Sequence, residues 1–460
     1  MLQFIKNFLP RQKNIYVVGG SIRDLLLGRV PADYDIACAG NPEKFAEKIL
    51  SRSGGHLVRI GKSGQMIFRV ISDGTIFDIA PLNGSSIEED LKKRDFTVNA
   101  IAYDLFSEKI IDCSGGLKDL ADKKVRMVSK TIFINDAVRL IRAYRIGASL
   151  NFEIESRTAE SIALHANLLQ SVAGERIRAE LLYLLNAPAS YSYLIQMANN
   201  GLLGIVFPGF DRLKGCFQNS YHHFDVFEHT LSAFEHLETM LNKPEDILSG
   251  IPGEICRYIE KTKPALIKCA ILLHDIGKPL TKTWDSCGKC RFYGHARKSA
   301  DMAQLIVQRL KFSNHEQRSV DCIVRNHMKP LSLFTAHDKK MNIQKGIFRF
   351  YKECGDNTPA VLLSVMADTK AKRHKMTERS NEFILFTKKL IYDYFMTYQI
   401  ICAKPPLITG HDLIHVFGLT PSPLFKRILN FVDEARFTHD VKTRSEALEL
   451  VRDYLASNRK

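Results

Sequence analysis

Asp33 and Asp35 stand two residues apart in Asp33-Tyr34-Asp35-Ile36-Ala37. Carboxylates at i and i+2 of a strand share a face, and such a pair can hold Mg²⁺. Just upstream, Gly19-Gly20-Ser21-Ile22-Arg23-Asp24 follows the β-rich run Ile15-Tyr16-Val17-Val18. A strand that turns at two glycines and enters a helix at Ser21 presents backbone amides to anionic oxygens. Gly19, Gly20, Ser21 and Arg23 are therefore candidates to cradle phosphate. A third group lies in Lys93-Arg94-Asp95-Phe96-Thr97-Val98-Asn99-Ala100, where Arg94, Asp95 and Asn99 offer donors and acceptors suited to a nucleotide sugar. Asp78, in the run Thr75 to Ala80, is a carboxylate that strand alternation brings beside Asp33 and Asp35 or else turns to solvent.

From Ile134 the apolar spacing becomes helical. Ala137, Val138, Leu140, Ile141 and Tyr144 form a stripe, and Asp136 and Arg139 fall one turn apart on a neighbouring face. Such a pair is either a surface ion pair or a reader of base edges: a carboxylate accepts from an exocyclic amino group while an arginine donates to the adjacent ring position. Arg142 and Arg145 continue that helix, and Glu175-Arg176-Ile177-Arg178-Ala179-Glu180 opens another. A second chemical signal is spread more widely. His229, His274, Asp275, His295, His327 and Asp368 each sit in an apolar helical context, and imidazole with carboxylate is the ligand chemistry of a hydrolytic divalent-metal site. Cys287-Gly288-Lys289-Cys290 has zinc-knuckle spacing but no second pair at the usual distance, so a hairpin tip is expected.

The first set of residues needs a small mixed sheet to hold it. Short β-rich runs at Ile15 to Val18, Tyr34 to Cys38, Met66 to Val70, Thr75 to Ala80 and Ile101 to Leu105 supply one, with a helix over Pro42 to Leu50. Everything after about residue 133 reads as helical, with linkers near Pro208 to Gly215, Lys243 to Gly253 and Ala403 to Pro406. At 460 residues the chain exceeds one hydrophobic core. A net charge of +15 from 65 Lys and Arg points to a polyanionic partner. Ten scattered cysteines, an N-terminus without a long apolar core and the absence of any membrane-length apolar run lead to an expected cytoplasmic location with no membrane association.

Gly-Gly-x-x-Arg-Asp followed within a dozen residues by Asp-x-Asp resembles the catalytic core of the DNA polymerase β superfamily of nucleotidyltransferases. Within it the chain resembles the bacterial tRNA nucleotidyltransferase and poly(A) polymerase family. The Arg94 motif is similar to that family's sugar and triphosphate motif, with Lys93 in place of a first arginine. Asn135-Asp136-Ala137-Val138-Arg139 is similar to its acidic-Asp-x-x-Arg protein template for the incoming base, with Asn135 replacing the acidic residue. The second ligand set resembles an HD metal phosphohydrolase domain: His229, His274-Asp275 and Asp368 match the minimal set, and His295 and His327 would add a second metal.

The resemblance implies an α+β chain: a mixed-sheet nucleotidyltransferase head (1–133), a helical neck and RNA-binding body (134–215), an HD domain (216–402) and a helical tail (403–460). It implies addition of nucleotides of the tRNA 3′-terminal CCA from CTP and ATP. Asp33 and Asp35 would be catalytic Mg²⁺ ligands, Gly19, Gly20, Ser21, Arg23, Arg94, Asp95, Asn99, Asp136, Arg139 and Arg142 would bind nucleotide, and the HD site would hold a divalent metal. Full CCA-adding relatives usually carry a longer flexible loop between the positions of Asp78 and Arg94, which here have only 15 residues between them. That shortness favours an enzyme that stops after CC. The competing readings are a poly(A) polymerase and an HD phosphohydrolase whose transferase half is vestigial.

Overall fold

The computed structural model describes residues 9–61, 66–217, 225–248, 250–262, 264–372 and 376–457. The chain divides into two compact units, Met1–Val206 and Phe207–Lys460. The first carries a seven-stranded mixed sheet and the second is almost wholly helical, an α+β architecture as expected.

In the first unit the strands are β1 (Ile15–Val18), β2 (Tyr34–Cys38), β3 (His56–Ile60), β4 (Ile67–Ser72), β5 (Thr75–Pro81), β6 (Ile101–Asp104) and β7 (Ile110–Asp112), in the order β3-β4-β5-β2-β1-β6-β7. β2 runs parallel to β5 and antiparallel to β1. This register sets Asp35 opposite Val18 on one side and Asp78 on the other, so the end of β1 and both carboxylates meet at one place. β1 and β2 are buried because both their faces are covered, which is why their β-branched and apolar runs show little alternation. The edge strands β3 and β7 are largely exposed and were not expected from sequence. Helix α1 (Gly20–Leu26) follows β1 directly, and α2 (Pro42–Ser53) starts at Asn41, whose side chain accepts from the Lys44 amide at 3.1 Å. Helix α3 (Ile87–Lys92) packs Ile87 and Leu91 with Val18, Ala37, Ala100 and Ala102 into the small core beneath the site.

Helix α4 (Arg139–Leu150) buries Leu140, Ile141, Tyr144 and Ile146 and packs on α5 (Gly174–Asn186). One expectation is corrected here. The helical pattern does not run continuously through Asp136: the backbone is extended there (φ −156°), breaking the short helix Ile132–Asn135 from α4. Asp136 thus lies at a junction of two helices rather than one turn before Arg139 on a helix face.

The second unit is built around α6 (Val226–Asn242), α7 (Pro264–Leu273), α8 (His295–Arg309), α9 (Asn314–Asn326) and α10 (Thr358–Ala371), with α6 packed on α10 and α7 on α9. Gly277 has a φ of −85°, so no left-handed turn calls for a glycine there. Its role is close approach: a Cβ there would sit 2.6 Å from the Ser299 amide nitrogen, while the Gly277 amide donates to Ser299 Oγ at 2.9 Å. Cys287 and Cys290 belong to a hairpin (Thr283–Trp284 with Cys290–Arg291) in which Cys287 is exposed and Cys290 buried. The last helices close a separate small core of Ile408, Leu413, Ile428, Val432 and Val451, tied to the helix Gln344–Cys354 by Arg349 and Glu434 at 2.8 Å. Of the linker from Lys243 to Gly253, Ser249 lies outside the described residues. No helix among the described residues is long and apolar enough to cross a membrane.

Candidate functional site

A cavity of about 380 Å³ opens at the carboxyl end of β1 and is lined by Gly19, Gly20, Arg23, Asp24, Ala32, Asp33, Asp35, Arg94, Asp95, Asn99, Arg139, Arg142 and Arg145. Asp33 is exposed and lies one residue before β2, while Asp35 is half-buried within it. Burial and the neighbouring Asp33 carboxylate push Asp35 up to about 6, with Asp78 adding and Arg94 and Arg23 opposing. A carboxylate raised by burial beside a second carboxylate is one that a bound cation would relieve. Asp78 is in register with Asp35 but is engaged elsewhere, accepting two hydrogen bonds from Arg69 at 2.7 Å each.

Gly19 is required by its surroundings. Its φ is +74°, and a Cβ there would lie 2.7 Å from Arg94 Nη1 and 3.4 Å from Asp35 Oδ2. Gly19→Ala is expected to lower kcat/KM for the nucleotide at least about tenfold, through strain of roughly 1–3 kcal/mol and displacement of Arg94. Unaltered kinetics in a variant of normal Tm would refute that packing argument.

The polar wall is cross-tied. Arg23 Nη1 donates to Asn99 Oδ1 at 2.6 Å, Asn99 Nδ2 to Asp95 Oδ1 at 3.0 Å, and Arg142 Nη1 to Asp95 Oδ2 at 3.3 Å. Arg94 is aimed by Asp90, whose Oδ1 accepts from its Nε at 2.8 Å. Buried Glu180 on α5 holds both Arg142 (2.7 Å) and Arg145 (2.5 Å). Five guanidinium groups therefore face the cavity in fixed orientations, a lining suited to a triphosphate.

Two of the sequence candidates stand apart from this lining. Ser21 is buried and its hydroxyl donates to the Val18 carbonyl at 2.9 Å, so that side chain is spent on the turn and not offered to phosphate. Asp136 is not among the lining residues. It lies 4.0 Å from Arg139 Nε and accepts from Arg176 Nη2 at 2.8 Å. Burial pushes Asp136 up, but the hydrogen bond and charge of Arg176 outweigh it and keep the carboxyl below its usual range. Arg139 Nη2 donates to the Lys93 carbonyl at 3.2 Å, while among the described residues its buried Nε has no hydrogen-bond partner and faces the Asp136 carboxylate at 4.0 Å. The supporting residues Asp24, Asp90, Arg145, Arg176 and Glu180 were outside the nucleotide-binding set read from sequence. The signal for the last two was the Glu175 to Glu180 segment, whose charges alternate on an otherwise apolar helix.

In the second unit all six predicted ligands converge. One ligand atom each from His229, His274, Asp275 and Asp368 lies within 4.8 Å of the others, and Asp275, His295 and His327 form a second such group that shares Asp275. The Nδ1 atoms of His274, His295 and His327 are hydrogen-bonded to the carbonyls of Ile271, Phe292 and Val324 at 2.7, 2.8 and 2.7 Å. Anchoring at Nδ1 turns each Nε2 inward, the arrangement that prepares a histidine for metal. Burial keeps His295 and His327 below the usual histidine range, His327 at about 3, and their Nε2 atoms face each other at 3.2 Å. Burial also pulls His274 down, but Asp275 and Asp368 outweigh it and raise it to about 10. Among the described residues, His274 Nε2 and both Asp275 carboxylate oxygens lack an aligned hydrogen-bond partner, although His274 Nε2 is 3.1 Å from Asp275 Oδ2 and Lys278 Nζ is 2.6 Å from that oxygen. Buried acceptors without aligned donors, shared between two groups, fit divalent-cation binding.

These features define a nucleotidyltransferase head joined to an HD domain. The family model described as the Poly A polymerase head domain matches residues 15–126, the "Probable RNA and SrmB- binding site of polymerase A" matches 151–214, the HD domain matches 226–354, and domain 2 of tRNA nucleotidyltransferases matches 295–451. The chain is 31% identical over 446 residues to a CC-adding tRNA nucleotidyltransferase of Thermus thermophilus, covering 95% of this chain and 92% of that one. It is also 31% identical over 443 residues to an A-adding tRNA nucleotidyltransferase of Deinococcus radiodurans, covering 95% and 94%. The chain belongs to the tRNA nucleotidyltransferase family. Its fold is that of the Thermotoga maritima CCA-adding enzyme complexed with tRNA_CCA, with a TM-score of 0.63, 21% identity, and coverage of 96% of this chain and 91% of that one.

Proposed function

We propose that this enzyme extends the 3′ end of tRNA with cytidylate from CTP, releasing pyrophosphate, and that it stops after CC. The observation that carries the reading is the cavity itself, where the Asp33 and Asp35 carboxylates face Arg23, Arg94, Arg139, Arg142 and Arg145. Asp33 and Asp35 would hold Mg²⁺, which when bound lowers the barrier to attack by the RNA 3′-hydroxyl and stabilises charge on the phosphates. The arginines would orient the triphosphate so that the bond between the α-phosphorus and the pyrophosphate lies in line with the attacking oxygen. Asn99 and Asp95 would hold the sugar, and Arg139 with Asp136 would read the base edge. The net charge of +15 supports tRNA binding through backbone phosphates in the cytoplasm.

The test is incorporation from each of the four triphosphates into tRNA lacking its end and into a generic RNA. Cytidine addition confined to tRNA is expected; long adenylate tails on generic RNA would instead identify a poly(A) polymerase.

We propose further that the HD cluster is a metal phosphohydrolase site in its own segment, with a division at about residues 133, 215 and 402. Replacing His274 and Asp275 together (His274→Ala, Asp275→Asn) is expected to remove tightly held metal and any metal-dependent phosphatase activity while leaving nucleotide addition within about twofold, because the segment has its own helical core. Equal loss of both activities in a folded variant would refute that independence.

A further inference from the structure

Cys322 and Cys354 are distant in sequence but meet in the second unit. Cys322 lies on α9, whose last residue Asn326 precedes His327, and Cys354 ends the helix Gln344–Cys354. The Cys322 thiol points at the end of that helix: its Sγ is 3.8 Å from the Cys354 carbonyl oxygen, and the two thiols are in contact. Asn326 Nδ2 donates to the Cys322 carbonyl at 3.0 Å and approaches Cys322 Sγ at 3.7 Å. An ion pair between Lys329 and Glu353 joins the same two segments, so they are held together both before and after His327 in the chain.

The two sulfurs are unequal. Cys322 is partly exposed, and the hydrogen bond to the Cys354 thiol, helped by Asn326, outweighs burial and holds it below the usual thiol range. Cys354 is buried, and the same bond together with burial pushes it up. A reachable sulfur that ionises, touching a sheltered one, supplies the nucleophile and the resolving group of thiol–disulfide exchange.

We propose that Cys322 and Cys354 are a reversible oxidation site whose co-reactant is a low-molecular-weight disulfide of the glutathione class. The Cys322 thiolate attacks one sulfur of that disulfide, forming a mixed disulfide and releasing one thiolate. Cys354 then loses its proton and attacks Cys322 Sγ, which releases the second thiolate. Two electrons pass from the pair to the co-reactant, and the two cysteine protons end on the two released thiols. The product ties α9 to the helix Gln344–Cys354 beside His327. In a reducing compartment the pair stays reduced and responds only when the thiol–disulfide poise shifts.

The full-length protein would be equilibrated with graded mixtures of reduced and oxidised glutathione, alkylated with N-ethylmaleimide under denaturing conditions and digested with trypsin without reduction. The peptides Ser319–Arg325 and Glu353–Lys370 should be recovered as one cross-linked species that dithiothreitol separates. Cys354→Ser should trap glutathione on Cys322, and Cys322→Ser should leave Cys354 unmodified. Both cysteines recovered alkylated and unlinked from wild-type protein in the most oxidising mixture would overturn the proposal. So would Cys354 linked to other cysteines as often as to Cys322, or glutathione on Cys354 in Cys322→Ser as readily as on Cys322 in Cys354→Ser. A melting temperature for each variant separates these outcomes from unfolding, and the wild-type peptide map decides the matter where a variant does not fold.

Discussion

Asp33→Ala and Asp35→Ala are each expected to lower nucleotide addition by at least about 10³-fold while leaving tRNA affinity within about twofold. The two effects separate because they arise from different chemistry. In the proposed mechanism the carboxylates would act on metal and triphosphate in the cavity, whereas RNA affinity would come from the excess of Lys and Arg rather than from an acidic side chain. The structure also argues that these variants fold. Burial and Asp33 push Asp35 up to about 6, so the native arrangement holds two carboxylates against their own repulsion, and deleting one relieves it. Asp78 cannot substitute freely, because Arg69 engages both of its oxygens at 2.7 Å. The measurement is single-turnover addition of CMP to tRNA, together with filter binding of the same tRNA and a melting temperature. Near-normal addition by both variants would remove the carboxylate pair from the mechanism. Parallel loss of tRNA binding would mean that the pair acts through the fold instead.

Much of this site was legible because its chemistry is local in sequence. Gly19, Asp33, Asp35, Arg94, Asp95 and Asn99 fall in short motifs, and each motif ends at the same edge of a sheet whose central strands are unmistakably apolar. What was not legible depends on pairing across distance. The clamp of Glu180 on Arg142 and Arg145 joins residues on two helices, and nothing in either helix alone distinguishes a buried glutamate from a solvated one. Arg176 reaches Asp136 across 40 residues for the same reason. The edge strands β3 and β7 escaped because an exposed strand has no buried face to impose alternation, so His56–Ile60 carries no inside and outside pattern. Asp136 was misplaced by a pattern that is apolar on both sides of a backbone break. Sequence did not show that the Ser21 hydroxyl is spent on the turn, because a serine there suits either role until its 2.9 Å bond to the Val18 carbonyl is seen. The HD ligands were legible as a set through their order and resemblance, whereas the Nδ1 anchors that turn them inward are backbone carbonyls with no sequence signature.

Given CTP and ATP together with a tRNA lacking CCA, the enzyme is expected to stop after the second cytidine, with adenosine added to fewer than about one end in a hundred. Relatives at equal identity include both a CC-adding and an A-adding enzyme, so overall similarity does not decide the matter. The segment between Asp78 and Arg94 does bear on it. After β5 ends at Pro81 only five residues precede α3, and they are tied down. The Asn83 amide donates to Asp90 Oδ2 at 2.9 Å, its carbonyl accepts from Lys93 Nζ at 2.8 Å, and the Ser85 amide donates to Glu89 Oε2 at 2.9 Å. Asp90 also aims Arg94, and the Lys93 carbonyl accepts from Arg139. The same stretch that fixes the turn therefore also holds Arg139, the arginine proposed to read the base. If Arg139 and Asp136 read the base as proposed, changing from cytosine to adenine requires them to rearrange their hydrogen bonds. A segment this short, bonded at three points to α3 and its cap residue Lys93, gives little leverage for that motion. Extension products resolved to single nucleotides, with CTP alone and with both triphosphates, provide the test. Identical lengths in the two reactions support the restriction, whereas efficient completion to the terminal adenosine would overturn it and leave nucleotidyl transfer by Asp33 and Asp35 untouched.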